Sequence, residues 1–595
     1  MTKTLDIKQF DSVTNRNVNA WLNGAYDEQT KQIIERMLRE NPQEVLDAFY
    51  TNLSFGTGGM RGIMGVGTNR MNAYTIRACT QGLANYLNKQ PKPASGIHSV
   101  LIGYDSRHHS REFAEECAKV FAANQIHVYL YKEIRPTPMV SFGCRYKKCS
   151  SAIMLTASHN PPEYNGYKVY WNDGAQVLPP HDQGIVDEVN KITDIHMVKQ
   201  VTSLEHPLIE WIDGELDQKY LSDIVPLQLY PEENQEEGKN LKVVYTSLHG
   251  TGITMIPQAM KRWGFSNIQL VGPQVIPNGD FPTCKSPNPE EAEALKLGIE
   301  TLKEVQGDVL IATDPDADRV GAVVYHSGDI HRIDGNQMAC LMLHHILEAL
   351  SKQKRLPENA AFVKTIVTSE LFQEICKSYK KTCFNVLTGF KYIAEKIREW
   401  EQAPDGYKYL FGGEESYGYL YGTIVRDKDA IICSVLICEM ALQAKLEGKT
   451  LLDKLHEIWK KYGTYIEKLI SVKFEDSKAG KDQMNKGMEA LQKNPPKKIQ
   501  DIQVLILEDY FQSKRENFKT GEVEKIDLPK SEVLVFHLED GTKLVIRPSG
   551  TEPKIKIYCG VVRKNFDDIQ SAIREGEKHA ASLLAALKQD LLKIK

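Results

Sequence analysis

The strongest constraint on this chain is a recurring alternation of short, continuous apolar runs with amphipathic segments. SVLIGYD (99–105) is such a run, REFAEECAKVFAAN follows at helical spacing, IHVYLYK returns to strand character, and SAIMLTA (151–157) is a second buried-type strand. The scheme recurs in LKVVYTSL, the glycine-containing turn HGTG, a helix near 256–263, NIQLVG and DVLIATD. It recurs again in AFVKTIV, SELFQEICKSYKK, TCFNVL and KYIAEKIREW. Strands alternating with helices predict βαβ units and largely parallel sheets. Three α/β domains are therefore expected over 51–205, 206–325 and 326–455, after a polar helical extension over 1–50. Beyond a helix-rich link at 451–461, the strands IQVLILEDY, SEVLVFHL, TKLVIRP and KIKIYCGV lie close together before a long terminal helix. That texture predicts a smaller α+β domain over 456–595. Length agrees, since 595 residues suit roughly four cores of about 150 residues each.

Charge and cysteine usage narrow the function. A formal net charge of −4, from 74 Lys+Arg against 78 Asp+Glu, argues against a general nucleic-acid or anionic-membrane binder. The eleven cysteines contain no C-x-x-C pair, so neither a zinc site nor a disulfide framework is suggested. The N-terminus lacks the apolar core of a signal peptide. The apolar stretch at 430–442 is too short for a bilayer and contains Glu439. These features predict a soluble, cytoplasmic protein, and no obligate protein partner is evident.

Four segments carry chemistry. In LTASHNPPEYNGYKVY (155–170) a strand ends at Ala157 and delivers Ser158, His159 and Asn160 into a turn forced by two prolines. The carboxyl ends of parallel strands are where ligands bind, so Ser158 is a candidate nucleophile with His159 beside it and Lys168 ten residues on. An ordinary Ser/Asn turn is the plain alternative. TDPDADRVG (313–321) crowds Asp314, Asp316 and Asp318 into five residues, carboxylates that repel unless a cation neutralises them. Oxygen-only donors suit a hard ion such as magnesium, and an EF-hand is excluded by Arg319 and Tyr325 at its glycine and glutamate positions. A solvated acidic turn is the alternative here. FGGEESYGYL (411–420) offers Glu414, Glu415 and Ser416 between glycines, either a loop that reads sugar hydroxyls or an ordinary surface turn. IRPSGTEPKIKIY (546–558) places Arg547, Ser549, Gly550 and Thr551 between strands, either a phosphate clamp or a β-turn on Pro548 and Gly550. Neither a hydrolase G-x-S-x-G elbow nor a P-loop is present. Together the four segments are the parts for phosphoryl transfer to and from a sugar. One falls in each expected domain, which predicts an active site in a central cleft.

At this point the chain resembles the α-D-phosphohexomutase superfamily. TASHNP is similar to that family's phosphoserine loop, DPDADR to its metal loop, GEESYG to its sugar-binding loop and RPSGTEP to its phosphate-binding loop, all in the family's order. GTGGMRG (56–62) resembles the N-terminal arginine motif, with Gly58 where serine is more usual and Arg61 in place. The resemblance implies four domains and a phosphoryl group carried on Ser158. One Mg²⁺ per chain would be held by Asp314, Asp316, Asp318 and an oxygen on Ser158. Arg61, His159, Lys168 and Arg319 would surround the transferring group, and Lys428 in VRDKDA matches a lysine assigned to proton transfer. Thr388, Gly389, Glu414 and Ser416 would bind sugar hydroxyls, while Arg547, Ser549, Gly550 and Thr551 would hold the distal phosphate. GEESYG resembles glucose-preferring members, which implies interconversion of glucose 1-phosphate and glucose 6-phosphate through glucose 1,6-bisphosphate, acting as intermediate and activator. The length and N-terminal extension resemble a subgroup that also contains phosphopentomutases and glucose 1,6-bisphosphate synthases, and phosphomannomutation uses the same machinery.

Overall fold

Helix caps set the first elements. Asp11 accepts the backbone N–H groups of Val13 and Thr14 at the start of Ser12–Asn23, Asp27 accepts that of Thr30 in Glu28–Glu40, and Pro42 opens Pro42–Phe49. These helices bury Val18, Trp21, Ile34, Met37, Val45 and Phe49 as a small core of their own. The computed structural model describes residues 10–56, 58–475, 478–549 and 554–593. Its contacts group the chain into two compact units. The first contains the chain to Ile333, with Ala394–Leu410 and Tyr417–Leu446; the second contains Asp334–Ile393, Phe411–Ser416 and the chain from Glu447.

The first unit holds two mixed sheets. A six-stranded sheet runs Gly59–Ile63, Tyr164–Trp171, Ser151–Leu155, Ser99–Tyr104, His127–Tyr131 and Ile209–Ile212. Its last four strands are mutually parallel, as the βαβ alternation predicts. Tyr164–Trp171 is antiparallel to both neighbours and returns the chain past the turn that follows Ala157. A five-stranded sheet runs Asp329–Ile333, Val320–His326, Val309–Thr313, Val243–Thr246 and Ile268–Leu270. Val309–Thr313 is parallel to Val243–Thr246 and antiparallel to Val320–His326, so the segment between Thr313 and Val320 is a tight reversal at a strand's carboxyl end.

In the second unit, Ala360–Thr365 pairs in parallel with Thr382–Val386. An antiparallel sheet follows, with the order Thr464–Lys473, Lys554–Arg563, Lys543–Pro548, Leu534–Leu538, Ile502–Asp509, Lys514–Asn517 and Val523–Lys525. The helix Ile569–Lys593 packs on it, burying Ala580, Leu583, Leu584 and Leu587. The expected α+β character of this region holds. Thr464–Lys473, the edge strand, is not apparent from the sequence, because its outer half alternates toward solvent and carries Lys468 and Lys473.

The apolar stretch at 430–442 lies in the helix Ala430–Leu446 and is buried on all sides, which is the expected place for a segment that is hydrophobic all round. No helix among the described residues is long and apolar enough to cross a membrane. Glu439 within it is fully buried, and its carboxylate accepts the N–H groups of Leu229 (3.0 Å) and Tyr230 (3.0 Å) and the Asn234 amide (2.6 Å). Substituting Glu439→Ala strands those donors, so we expect destabilisation of about 3 kcal/mol. A chemical-denaturation midpoint well below that of the parent protein checks this.

Candidate active site

The turn after Ser151–Leu155 is built from short-range bonds. Thr156 Oγ1 accepts the Ser158 N–H at 2.8 Å, and Asn160 N–H donates to the Ala157 carbonyl at 3.1 Å. Ser158 sits at φ 54, in the left-handed region that a non-glycine residue enters only when its surroundings hold it there. That conformation aims its hydroxyl at the reversal between Thr313 and Val320. Ser158 Oγ donates to Asp314 Oδ2 at 2.7 Å and lies 3.1 Å from His159 Nδ1. Arg61 Nη1 donates to Asn160 Oδ1 at 3.1 Å, which brings the arginine motif to the same turn. At that motif, Gly58 uses its carbonyl to accept the Val169 N–H at 3.1 Å.

Asp314, Asp316 and Asp318 are buried, with one oxygen of each within 4.8 Å of the others. Lys168 Nζ donates to Asp316 Oδ2 at 2.7 Å and to Asp318 Oδ2 at 2.9 Å, and Lys428 Nζ lies 3.1 Å from Asp318 Oδ2. Thr137 Oγ1 donates to Asp316 Oδ2 at 2.7 Å, and the Asp318 and Arg319 N–H groups donate to Asp314 Oδ1. Arg319 is turned to Glu290 at 2.7 Å. Burial, then the neighbouring Asp316 and Asp318 charges, push the Asp314 carboxyl well above the usual carboxylate range. Burial acts the same way on Asp318, but Lys168, Lys428 and Arg319 outweigh it and hold that carboxyl low. His159 is held below the usual imidazole range by burial, then by the Arg319 and Arg61 guanidinium groups.

The donor set fits a hard divalent cation. Asp316 Oδ1 and Asp318 Oδ1 are buried and accept no hydrogen bond, an arrangement that leaves costly polar atoms unpaired unless a cation takes them. The acidic segment is therefore not a solvated turn. Its backbone is fixed from HGTG, where Thr251 N–H and Oγ1 both donate to the Pro315 carbonyl, at 2.7 and 2.8 Å. A side chain at Gly250 would overlap Pro315.

Four family models match in series, described as phosphoglucomutase/phosphomannomutase α/β/α domains I (52–196), II (218–328) and III (334–462) and C-terminal domain (469–578). The chain belongs to the phosphoglucomutase/phosphomannomutase family. A Staphylococcus haemolyticus protein named phosphoglucomutase is 38% identical over 531 residues, which cover 88% of this chain and 93% of the relative. A Staphylococcus aureus (strain USA300) phosphoglucomutase is 36% identical over 93% of this chain and 97% of its own length. The crystal structure of a putative phosphomannomutase from Thermus thermophilus superposes with a TM-score of 0.65 over 90% of this chain and 99% of that one, at 20% identity. That likeness shows the fold.

Within this family fold, the structure brings Arg61, Ser158, His159, Lys168, Asp314, Asp316, Asp318, Arg319 and Lys428 together in the first unit. In the second unit it joins Gly389 and Glu414, whose Oε1 accepts the Gly389 N–H at 2.9 Å. Thr388, beside Gly389, keeps its hydroxyl buried and unpartnered. The neighbouring Glu415 turns inward to the Thr365 and Thr368 hydroxyls, at 3.3 and 3.5 Å. Ser416 ends that segment. Arg547 lies on Lys543–Pro548, Ser549 follows it with its N–H on the Lys554 carbonyl, and Gly550 and Thr551 lie outside the described residues.

Several supporting residues gave no signal in the sequence. Asp427 is buried beside Lys428 and accepts from Tyr170 Oη (2.9 Å) and Gln176 Nε2 (3.1 Å). Gly418 passes against the Lys428 stem so closely that a side chain would overlap it. Arg107 reaches the serine turn from the end of Ser99–Tyr104; only its place just past a strand's carboxyl end, in GYDSR, hints at a role.

Removing one carboxylate should uncouple the protein from the cation. We expect magnesium to raise the thermal unfolding midpoint of the parent protein and to leave that of Asp316→Asn unmoved, as measured by scanning fluorimetry.

Proposed function

We propose that the protein is a magnesium-dependent phosphoglucomutase, interconverting glucose 1-phosphate and glucose 6-phosphate through phospho-Ser158. The observation that carries the reading is the Ser158 hydroxyl, 2.7 Å from Asp314 in a three-aspartate cluster ringed by Lys168 and Lys428. The name shared by relatives at 36–38% identity favours glucose over ribose or mannose phosphates, and a mutase over a bisphosphate synthase. The helical extension (1–50) then precedes domains over 51–205, 206–325, 326–455 and 456–595. The enzyme is read as cytoplasmic, with a small phosphosugar as its partner.

In the outward half-reaction a sugar hydroxyl oxygen forms a bond to phosphorus as the P–Oγ bond of Ser158 breaks. The hydroxyl proton leaves to a base and Ser158 Oγ gains one, giving glucose 1,6-bisphosphate. In the return half the bisphosphate presents its other phosphate, Ser158 Oγ loses its proton and takes that phosphoryl group, and the sugar oxygen is protonated. Lys428 is assigned to the sugar-side proton. Asp314, Asp316 and Asp318, with an oxygen on Ser158, would hold Mg²⁺, which when bound neutralises charge on the transferring group. Arg61, His159, Lys168 and Arg319 add positive charge or donors around it. Glu414, Ser416, Thr388 and Gly389 are assigned to the sugar hydroxyls, which either orientation of the sugar must satisfy. Arg547, Ser549, Gly550 and Thr551 are assigned to the phosphate that is not reacting, because a guanidinium and hydroxyl donors can hold either phosphate.

A coupled assay with glucose 1-phosphate, magnesium, a trace of glucose 1,6-bisphosphate and glucose 6-phosphate dehydrogenase tests this. We expect rapid NADPH formation, little affected by ribose 1-phosphate and abolished by Ser158→Ala. Full activity in that variant, or turnover confined to ribose 1-phosphate, contradicts the assignment.

A further inference from the structure

Arg107 is a buried guanidinium, 3% exposed, whose side-chain hydrogen bonds go to the serine turn, which it grips from behind. Nη2 donates to the Ser158 carbonyl at 2.7 Å and to the Asn160 carbonyl. Nη1 donates to the carbonyls of Pro161 (2.8 Å) and Tyr164 (3.0 Å). Four carbonyls of one seven-residue stretch thus converge on a single planar cation. The cation is itself fixed: Asp105 Oδ1 accepts the Arg107 N–H at 3.1 Å, Asp105 Oδ2 lies 3.5 Å from Nε, and the Phe281 ring covers the guanidinium at 4.9 Å. Pulling these carbonyls to one side turns the Ser158 side chain to the other, toward Asp314, and opposes relaxation out of the left-handed backbone. Two prolines in the turn supply no N–H groups, and from within the turn the Tyr164 N–H reaches the Pro161 carbonyl at 3.1 Å.

We propose that Arg107 is a positioning residue for phosphoryl transfer, holding Ser158 Oγ at the cation site in both its free and phosphorylated forms; this rests on the function assigned above. Lysine cannot replace it, because an ammonium lacks the flat five-donor fork that reaches several carbonyls at once. A reactive oxygen displaced by about 1 Å loses on the order of 100-fold in rate. For Arg107→Lys we therefore expect kcat for glucose 1-phosphate, and the single-turnover rate of Ser158 phosphorylation by glucose 1,6-bisphosphate, to fall about 100-fold. KM and the magnesium-induced rise in the unfolding midpoint should stay close to those of the parent protein. Arg111→Gln, on an exposed arginine paired with Glu115, serves as the control with unchanged rates. Parent-like rates in Arg107→Lys overturn the proposal. So does loss of KM and magnesium response together with kcat, which marks a merely structural residue. Should Arg107→Lys not fold, Asp105→Asn, which loosens the guanidinium without removing it, must show the same split between kcat and KM, and parent-like behaviour there overturns the proposal. No phosphorylation of Ser158 in the parent protein would instead overturn the assigned function, and this inference with it.

Discussion

Three carboxylates buried within five residues repel one another strongly in a low-dielectric surrounding, and the first unit is organised around relieving that repulsion. Relief comes from several directions. Lys168 arrives on the antiparallel strand Tyr164–Trp171, Lys428 from the segment before Ala430–Leu446, and the Thr137 hydroxyl from the start of Thr137–Tyr146. Two oxygens, Asp316 Oδ1 and Asp318 Oδ1, remain without a hydrogen bond, and a divalent cation could complete the balance. A charge cluster of this kind gives little net stability by itself. In the proposed reaction its value lies in concentrating oxygen ligands and ammonium groups where a phosphoryl group has to change owner.

Because the cluster needs partners distant in sequence, the fold and the chemistry are tied to the same contacts. Thr251 braces Pro315 from the HGTG turn, Asp427 anchors next to Lys428 through Tyr170 and Gln176, and Arg107 gathers the carbonyls behind Ser158. Each support lies just beyond a strand's carboxyl end or in a turn packed on one, where parallel sheets leave backbone groups available for binding. The glycines at 250 and 418 belong to the same system, since each lets a neighbouring segment approach more closely than a side chain permits.

Much of this was legible in the sequence because it is local. The apolar runs at 99–105 and 151–157 announced parallel strands, the proline pair announced the serine turn, and the aspartate spacing announced a cation. DPDADR and TASHNP need only their own few residues to state what they are. Arg107, Tyr170 and Asp427 were not legible, since each acts on a partner more than fifty residues away or beside an already prominent lysine. A lone arginine after a strand looks like any other until the carbonyls it faces are known. Tyr164–Trp171 was hidden for a related reason. It is missing from the expected strands, although Lys168 within it is a candidate site residue; the structure uses its glycine where a side chain would strike the Thr156 carbonyl and the lysine to neutralise two aspartates.

The most direct test of the account is peptide mapping of the purified protein after brief exposure to glucose 1,6-bisphosphate and magnesium. The account predicts one phosphoryl group per chain, located on Ser158 and lost when unlabelled glucose 1-phosphate is added as acceptor. Phosphate found elsewhere, or a phosphorylated Ser158 that does not discharge to the sugar, would contradict it.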